Sequence, residues 1–308
     1  MERLHESRVD PADIDNLGHM NVRVYARKAA EATRSLAGLL GITGDHTQIF
    51  DSHVHFRREQ LEGAPLLIHG GVAEASQDTI TAYLEMTNAD NGDLAATFLN
   101  VFRVIDPATR NGQVLPDSAL EASGAHRIAV PNHGKPRSLP LDPLRTDLSL
   151  DRLEQAGVMQ RVEPYEVLPE DCDAHGFMDL SDSTHLPFAK MPIKFPRQGN
   201  HGSKSNGNWS DLRVAIATME SRQFLFANPK LGDTVVTKTI HAHVGEKSLT
   251  FNHWSFNRDT GEPFGMLAQF GLGFDLDIRR SVPFPDDMRK GLEEHLHPDF
   301  SDALAKQA

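Results

Sequence analysis

The chain has 308 residues, 39% apolar and 24% charged, with a formal net charge of −12, and it is long enough for two domains of about 150 residues. Such an acidic balance argues against a dedicated surface for nucleic acid or anionic membrane, because both need a basic face. One cysteine, Cys172, rules out an internal disulfide or a cysteine-rich metal site.

In chain order, an edge strand leads into "VDPADIDNLGHMN", starting at Val9. The opening "MERLHESRVDPADID" lacks the apolar core of a signal peptide. No apolar run reaches the roughly 18 residues of a membrane helix, so a cytoplasmic protein is expected. From Met20, the residues Val24, Ala29, Ala32, Leu36, Leu39 and Leu40 recur at helical steps and mark one apolar face. Arg23, Arg27, Lys28, Glu31 and Arg34 fall largely on the other face. Asp15 or Asn16 is expected to cap this helix, and Gly41 to end it. Three runs rich in β-formers follow, "LLIHGGVAEA", "TITAYLEMTN" and "LAATFLNVFRVID".

Residues 108–155 are rich in proline, glycine and short polar residues, which favours an extended connector. The chain then repeats itself. "VLPEDCDAHGFMD", from Val167, matches the first motif at six of thirteen positions, including two Asp, a Pro and a Gly. "TVVTKTIHAHV", "SLTFNHWSFN" and "FGMLAQFGLGFD" then read as a second set of antiparallel strands. A short amphipathic helix with a frayed end is expected after Phe284. The organisation expected is an N-terminal unit at 1–107, a linker at 108–155, a C-terminal unit at 156–284 and a tail helix at 285–308. Helix followed by curling antiparallel strands, twice, is an α+β pattern.

"DIDNLGHMNVRVY" resembles the Asp-x-x-Gly-His-x-Asn-x-x-x-Tyr signature of hotdog-fold acyl-CoA thioesterases of the 4-hydroxybenzoyl-CoA thioesterase group. Asp15, Gly18, His19, Asn21 and Tyr25 stand at the matching places. "NPKLGDTVVTKTIHAHVGEKSLTFNHWSFN" resembles the same family's Leu-Gly-Asp turn and following hairpin. The resemblance implies two tandem hotdog domains, each a long helix wrapped by a curved sheet, packed as a pseudo-dimer. It implies hydrolysis of an acyl-CoA thioester, with coenzyme A present only as part of the substrate, and an acyl pocket at the interface of two units. No other cofactor and no metal are expected, nor a nucleic-acid or membrane partner. Such units often assemble further, so a homo-oligomer remains open.

The chemistry needs a carboxylate or water and a site for the oxyanion. Asp15 is the expected general base or nucleophile, with His19 and Asn21 orienting it. Backbone N–H groups at the helix start, near Asn21, Val22 and Arg23, favour negative charge, and Gly18 is expected to let the backbone approach closely. Acidic residues before a helix are commonly mere caps, worth about 1 kcal/mol each. The duplication and the resemblance favour catalysis for Asp15 and leave Asp13 structural.

The second motif departs from the signature: Phe177 replaces His19, Asp179 replaces Asn21, and Pro187, Pro192 and Pro196 cannot sit inside a long helix. Asp173 and Gly176 therefore mark a second-half counterpart with a degenerate site. Residues 197–211 read equally well as a lid or as a surface loop. His53 with His55 and His241 with His243 put pairs of imidazoles on one strand face, as metal ligands would be, yet neither pair has a neighbouring third ligand. Both are expected to be surface or satisfied core histidines. Acidic neighbours weaken Cys172 as a nucleophile. Arg57, Arg58, Lys204 and Lys247 are read as solvated cations before coenzyme A contacts. Two other readings stay open. A hotdog hydratase pairs an Asp with a His five residues on, whereas here Asp15 and Asp13 lie four and six before His19. A non-catalytic acyl-CoA sensor would bind without turnover.

Overall fold

The β-rich runs join one antiparallel sheet in the computed structural model of the chain, which describes residues 1–141, 147–180, 185–193 and 214–300. In chain order the strands are β1 (Glu2–Arg8), β2 (Thr47–Phe56), β3 (Pro65–Ala75), β4 (Ile80–Asn88), β5 (Leu94–Ile105) and the two-residue β6 (Gly112–Gln113). They continue with β7 (Tyr165–Glu166), β8 (Val214–Leu225), β9 (Thr234–Val244), β10 (Ser248–Asn257), β11 (Pro263–Asp275) and β12 (Arg280–Ser281). Their order across the sheet is β1-β3-β4-β5-β2-β8-β11-β10-β9-β7, with β6 on β5 and β12 on β11.

In the first half, β3, β4 and β5 present every second residue to one face: Leu66 and Ile68, Ile80, Ala82, Leu84 and Met86, Ala96 and Phe98. The helix α1 (Val22–Leu39) lies against that face through Val24, Tyr25, Ala29, Ala32 and Leu36. The period of two meets the period of 3.6, and small alanines let the helix come close. Burying each large side chain contributes about 1.5–3 kcal/mol. A polar thread crosses this core: Ser52 Oγ donates to Asn100 Oδ1 (2.7 Å), and Asn100 Nδ2 donates to Thr33 Oγ1 (2.9 Å). Lys28, read as solvent-facing, is buried instead. Its Nζ lies 3.7 Å from the Asp13 carboxylate and donates to the Arg8 carbonyl at 3.1 Å. A long helix gripped by a curved sheet is the hotdog fold.

The halves meet where β2 pairs with β8, from Asp51 opposite Phe224 to His55 opposite Glu220. That pairing makes the tandem units one continuous sheet, a pseudo-dimer within one chain. Asn88 and Asn257, like Asp106 and Asp275, lie 169 residues apart, and the same shift brings β2, β3, β4 and β5 onto β8, β9, β10 and β11. It also equates Asp51 with Glu220 and His53 with Arg222. Across the junction each acid takes the other half's base. Arg222 grips Asp51 with Nε (3.0 Å) and Nη2 (2.6 Å), and His53 Nε2 lies 3.2 Å from Glu220 Oε2.

The second half differs from the expected copy. Among the described residues no long α-helix lies against its sheet; a short 3₁₀ turn at Leu186–Phe188, built on Pro187, follows its motif. Residues 197–211, with Lys204, and Pro196 lie outside the described residues. The largest apolar cluster of this half, with Val236, Ile240, Trp254, Phe256 and Met266, occupies the opposite face of the sheet. By the 169-residue shift Trp254 and Met266 match Glu85 and Thr97, which point away from α1. The face matching the α1 side is mixed: Leu249 and Phe251 are apolar there, whereas Thr237 bonds Ser255 at 3.0 Å and Thr239 bonds His253 at 2.9 Å.

The connector corrects the expectation of an extended linker, because it packs. It forms α2 (Asp117–Ala125) and α3 (Leu150–Gln155). Leu115 and Ala119 enter the first core, whereas Leu139, Leu148, Leu150 and Leu153 cover the second. Between them it crosses the junction, where the N–H groups of Ser138 and Leu139 donate to Glu220. Burial alone would raise the Glu220 carboxyl, but His53 and those N–H groups hold it down to about 2. After Phe284, α4 (Asp286–Glu293) packs Met288 and Leu292 on Leu249 and Phe251; residues 301–308 lie outside the description.

Candidate active site

The turn before α1 is closed by its own backbone. The Asp15 N–H donates to the His19 carbonyl (3.0 Å) and the Gly18 N–H to the Asp15 carbonyl (3.1 Å). Gly18 has φ +86° with open space where a Cβ would stand. The left-handed backbone there favours glycine.

The turn aims the Asp15 carboxylate. Oδ1 accepts the Leu17 N–H at 2.9 Å, and Oδ2 accepts from Asn21 Nδ2 at 3.4 Å. His19 Nδ1 stands 3.7 Å from Oδ1, while its Nε2 faces Glu59 Oε1 at 3.4 Å. Both side chains are mostly buried, 16% of Asp15 and 18% of His19 remaining exposed. Asp13 sits deeper, bonded to Arg27 Nη2 at 2.6 Å. It accepts the Asp10 N–H as well, which ties the turn to the helix.

Asn21 has two functions. Its Oδ1 accepts the Arg23 N–H at 3.1 Å, so it is the N-cap in place of Asp15 or Asn16, and its Nδ2 reaches Asp15. Two of the three N–H groups expected to face the oxyanion have partners within the turn. The Arg23 N–H is taken by the cap and the Asn21 N–H by the Asp13 carbonyl at 2.9 Å, which leaves Val22 as the candidate donor of the three. The Arg23 side chain crosses to the second half and donates to the Phe188 carbonyl at 2.6 Å. Tyr25 donates its hydroxyl to the Arg58 carbonyl at 2.9 Å, and burial raises the pKa of that phenol. The helix ends at Leu39, with Gly41 at φ +76° just beyond.

The second motif folds into the same turn. The Asp173 N–H donates to the Phe177 carbonyl (2.8 Å), the Gly176 N–H to Asp173 (3.1 Å) and the Asp179 N–H to Asp171 (2.7 Å). Gly176 has φ +78°. Its carboxylate is occupied differently. Oδ1 of Asp173 accepts the His175 and Phe177 N–H groups, and Oδ2 is held by Arg110, a residue of the first half. Phe177, where the first motif has His19, offers a ring face to Arg110 and Lys230 and no proton-accepting group. Asp173, Met178 and Asp179 border a cavity of about 490 Å³ whose other walls include Arg34, Ile49, Phe50 and Leu225. A cavity between the halves thus adjoins the degenerate motif.

Sequence reasoning missed the residues each motif receives from the other half. Arg110 reaches Asp173, and Arg279 pairs with Glu59, the neighbour of His19. The signal was present as a duplication: Asp106 with Arg110 and Asp275 with Arg279, each pair four residues apart. Among the histidine pairs, a bulge between His241 and His243 separates their faces, so that His241 is buried and His243 exposed. His53 is paired with Glu220 and His55 is buried. Among the described residues no cluster of three His, Cys, Asp or Glu side chains could hold a metal. Burial first, then Asp171 and Glu170, raises the Cys172 thiol. No described helix is long and apolar enough to cross a membrane.

Fold and turn together define a hotdog protein of tandem form. Residues 9–123 match the Thioesterase-like superfamily, so the first unit carries that superfamily's sequence pattern. No curated protein matches the chain at a significant level. Solved structures share the architecture across both halves. The 12:0-ACP thioesterase from Umbellularia californica aligns with TM-score 0.61 and 10% identity, covering 87% of this chain and 96% of that one. An acyl-ACP thioesterase from Bacteroides thetaiotaomicron aligns with TM-score 0.59 and 12% identity over 87% and 96%. A protein provisionally described as an oleoyl thioesterase, from Lactobacillus plantarum, gives TM-score 0.61 and 13% identity over 91% and 96%. Identities this low speak for the fold alone.

Proposed function

We propose that the chain hydrolyses an acyl-CoA thioester to the free acid and coenzyme A at the first-half turn. The observation that carries this reading is the Asp15 carboxylate, aimed by the Leu17 N–H and Asn21 at the start of α1 with His19 beside it. Asp15 accepts a proton from water as the oxygen adds to the thioester carbonyl. The carbonyl oxygen then carries the negative charge toward the Val22 N–H and the positive end of the helix. Collapse of the adduct breaks the C–S bond, and the departing thiolate takes the proton. Direct attack by Asp15 is the other route, through an acyl-aspartyl anhydride that water then opens. Asp173 is the weaker candidate, because Arg110 holds it in an ion pair and Phe177 stands where the first motif has His19.

The test is thiol release from short, long, aromatic and hydroxylated acyl-CoA thioesters, with acyl-carrier thioesters as comparison because they share the linkage. Turnover on some member, reduced at least about a hundredfold in Asp15→Asn, supports the reading. Equal turnover in both proteins moves the chemistry to Asp173 or elsewhere. Acyl-CoA binding with no turnover by the wild type means a sensor.

A further inference from the structure

Each long β5 or β11 strand ends in the same capped turn. In the first half Asp106 Oδ1 accepts the Ala108 and Thr109 N–H groups, and the Asp106 carbonyl accepts the Arg110 N–H at 2.8 Å. In the second half Asp275 Oδ1 accepts from Asp277 and Ile278, and its carbonyl accepts the Arg279 N–H at 2.9 Å. Arg110 and Arg279 are the two non-glycine residues with positive φ among the described residues, +60° and +56°. A side chain there costs roughly 1–2 kcal/mol, and glycine would remove that cost. Both positions carry arginine, and both arginines end on a carboxylate of the opposite half.

The two arginines do different things at their targets. Arg110 binds the motif aspartate itself and holds Asp173. Arg279 stops one step short of the first motif, on Glu59 Oε2, while Glu59 Oε1 faces His19 Nε2 at 3.4 Å and His19 Nδ1 faces Asp15 at 3.7 Å. The guanidinium also lies over the Phe274 ring, 5.4 Å from its centre, which limits its motion. An imidazole between two carboxylates can turn toward either. A guanidinium compensating Glu59 fixes that side chain and leaves the other imidazole nitrogen toward Asp15.

We propose that Arg279 is a positioning residue of the first-half site, acting through Glu59 to set His19 against Asp15. The first active site is then incomplete without the second half, which contributes the far end of this chain of contacts. This rests on the hydrolytic reading above. The experiment therefore has one arm in turnover and one in structure. Arg279→Ala is expected to lower kcat about tenfold, in the range that misplacing a catalytic group produces, with KM changed less than about twofold. Arg279→Lys should recover most of the loss, and in a Glu59→Gln background Arg279→Ala should cost nothing further. The second arm follows the His19 imidazole by NMR, assigned against His19→Gln, and expects the same displacement in Arg279→Ala and in Glu59→Gln.

A raised KM with unchanged kcat overturns the proposal and makes Arg279 a contact for the anionic substrate. Unchanged turnover, or equal losses in the presence and absence of Glu59, overturns it as well. If no thioester is hydrolysed by the wild type, the reaction assignment falls by itself. The imidazole signals then decide, and a His19 unmoved in both variants ends the positioning role too.

Discussion

Asn21 joins stability to chemistry in one side chain: its oxygen caps α1 and its nitrogen reaches Asp15. Two substitutions separate these functions. Asn21→Ala removes both, so it should cost about 1 kcal/mol of stability through the lost cap and should lower kcat as well. Asn21→Asp keeps a capping oxygen and replaces the donor with an anion facing Asp15. Thermal melts and steady-state kinetics on the pair should show Asn21→Asp near the wild-type Tm with kcat reduced at least about tenfold. Equal kcat in wild type and Asn21→Asp would detach Asn21 from the aspartate. The second motif already carries an acid at this place, Asp179, and its aspartate is held by Arg110.

Among the elements, the β2–β8 pair carries the junction. Arg222→Met leaves Asp51 charged and buried, which should cost about 3–5 kcal/mol, whereas the double change Asp51→Leu with Arg222→Met should recover much of that loss. Denaturant midpoints test this, and a cost in the single variant below about 1 kcal/mol would show the pair to be well hydrated. The motif, its turn and α1 were legible in the sequence because their signals are local: spacing, capping residues and one apolar stripe. The junction was not, because alternation tells which face a residue takes but not which strand lies alongside. Nor was the second half's arrangement. In β10 the buried apolar residues change phase, from Leu249 and Phe251 to Trp254 and Phe256. A strand that does so covers a core on each face, and a search for a second wrapped helix passes over that change. The packed connector escaped notice because Leu115, Leu139, Leu148 and Leu153 recur at no fixed step. For the site, Asp15, His19 and Asn21 were found together, whereas Glu59 and Arg279 come from distant turns that only the fold brings to them.

At the scale of the whole molecule, buried imidazoles govern the response to acid. Burial lowers His185 and His253 to about 3 and His55 and His241 to about 4. In the unfolded chain each titrates near 6.5. Between about pH 6.5 and pH 4 the unfolded state therefore binds more protons, and stability must fall as pH falls. Glu220, at about 2, adds to the fall below about pH 4.5, where its unfolded counterpart takes up a proton. Melting should thus move down by several degrees from pH 7 to pH 5, continuing at pH 4; a flat curve over that window would place these histidines in contact with water. Glu220 joins the two halves, so acid below about pH 4.5 should loosen the junction along with the cores.

A hotdog pair made of two identical chains repeats every substitution on both sides of its axis. Here the strands that meet at that axis are encoded once each, and the halves differ accordingly: arginine on one aspartate, histidine beside the other; an apolar core against α1 in one half, cores on both faces of the sheet in the other. A single joined sheet thus carries two unlike turns, one with His19 beside Asp15 and one with Arg110 on Asp173, in a pairing that a symmetric dimer could not hold.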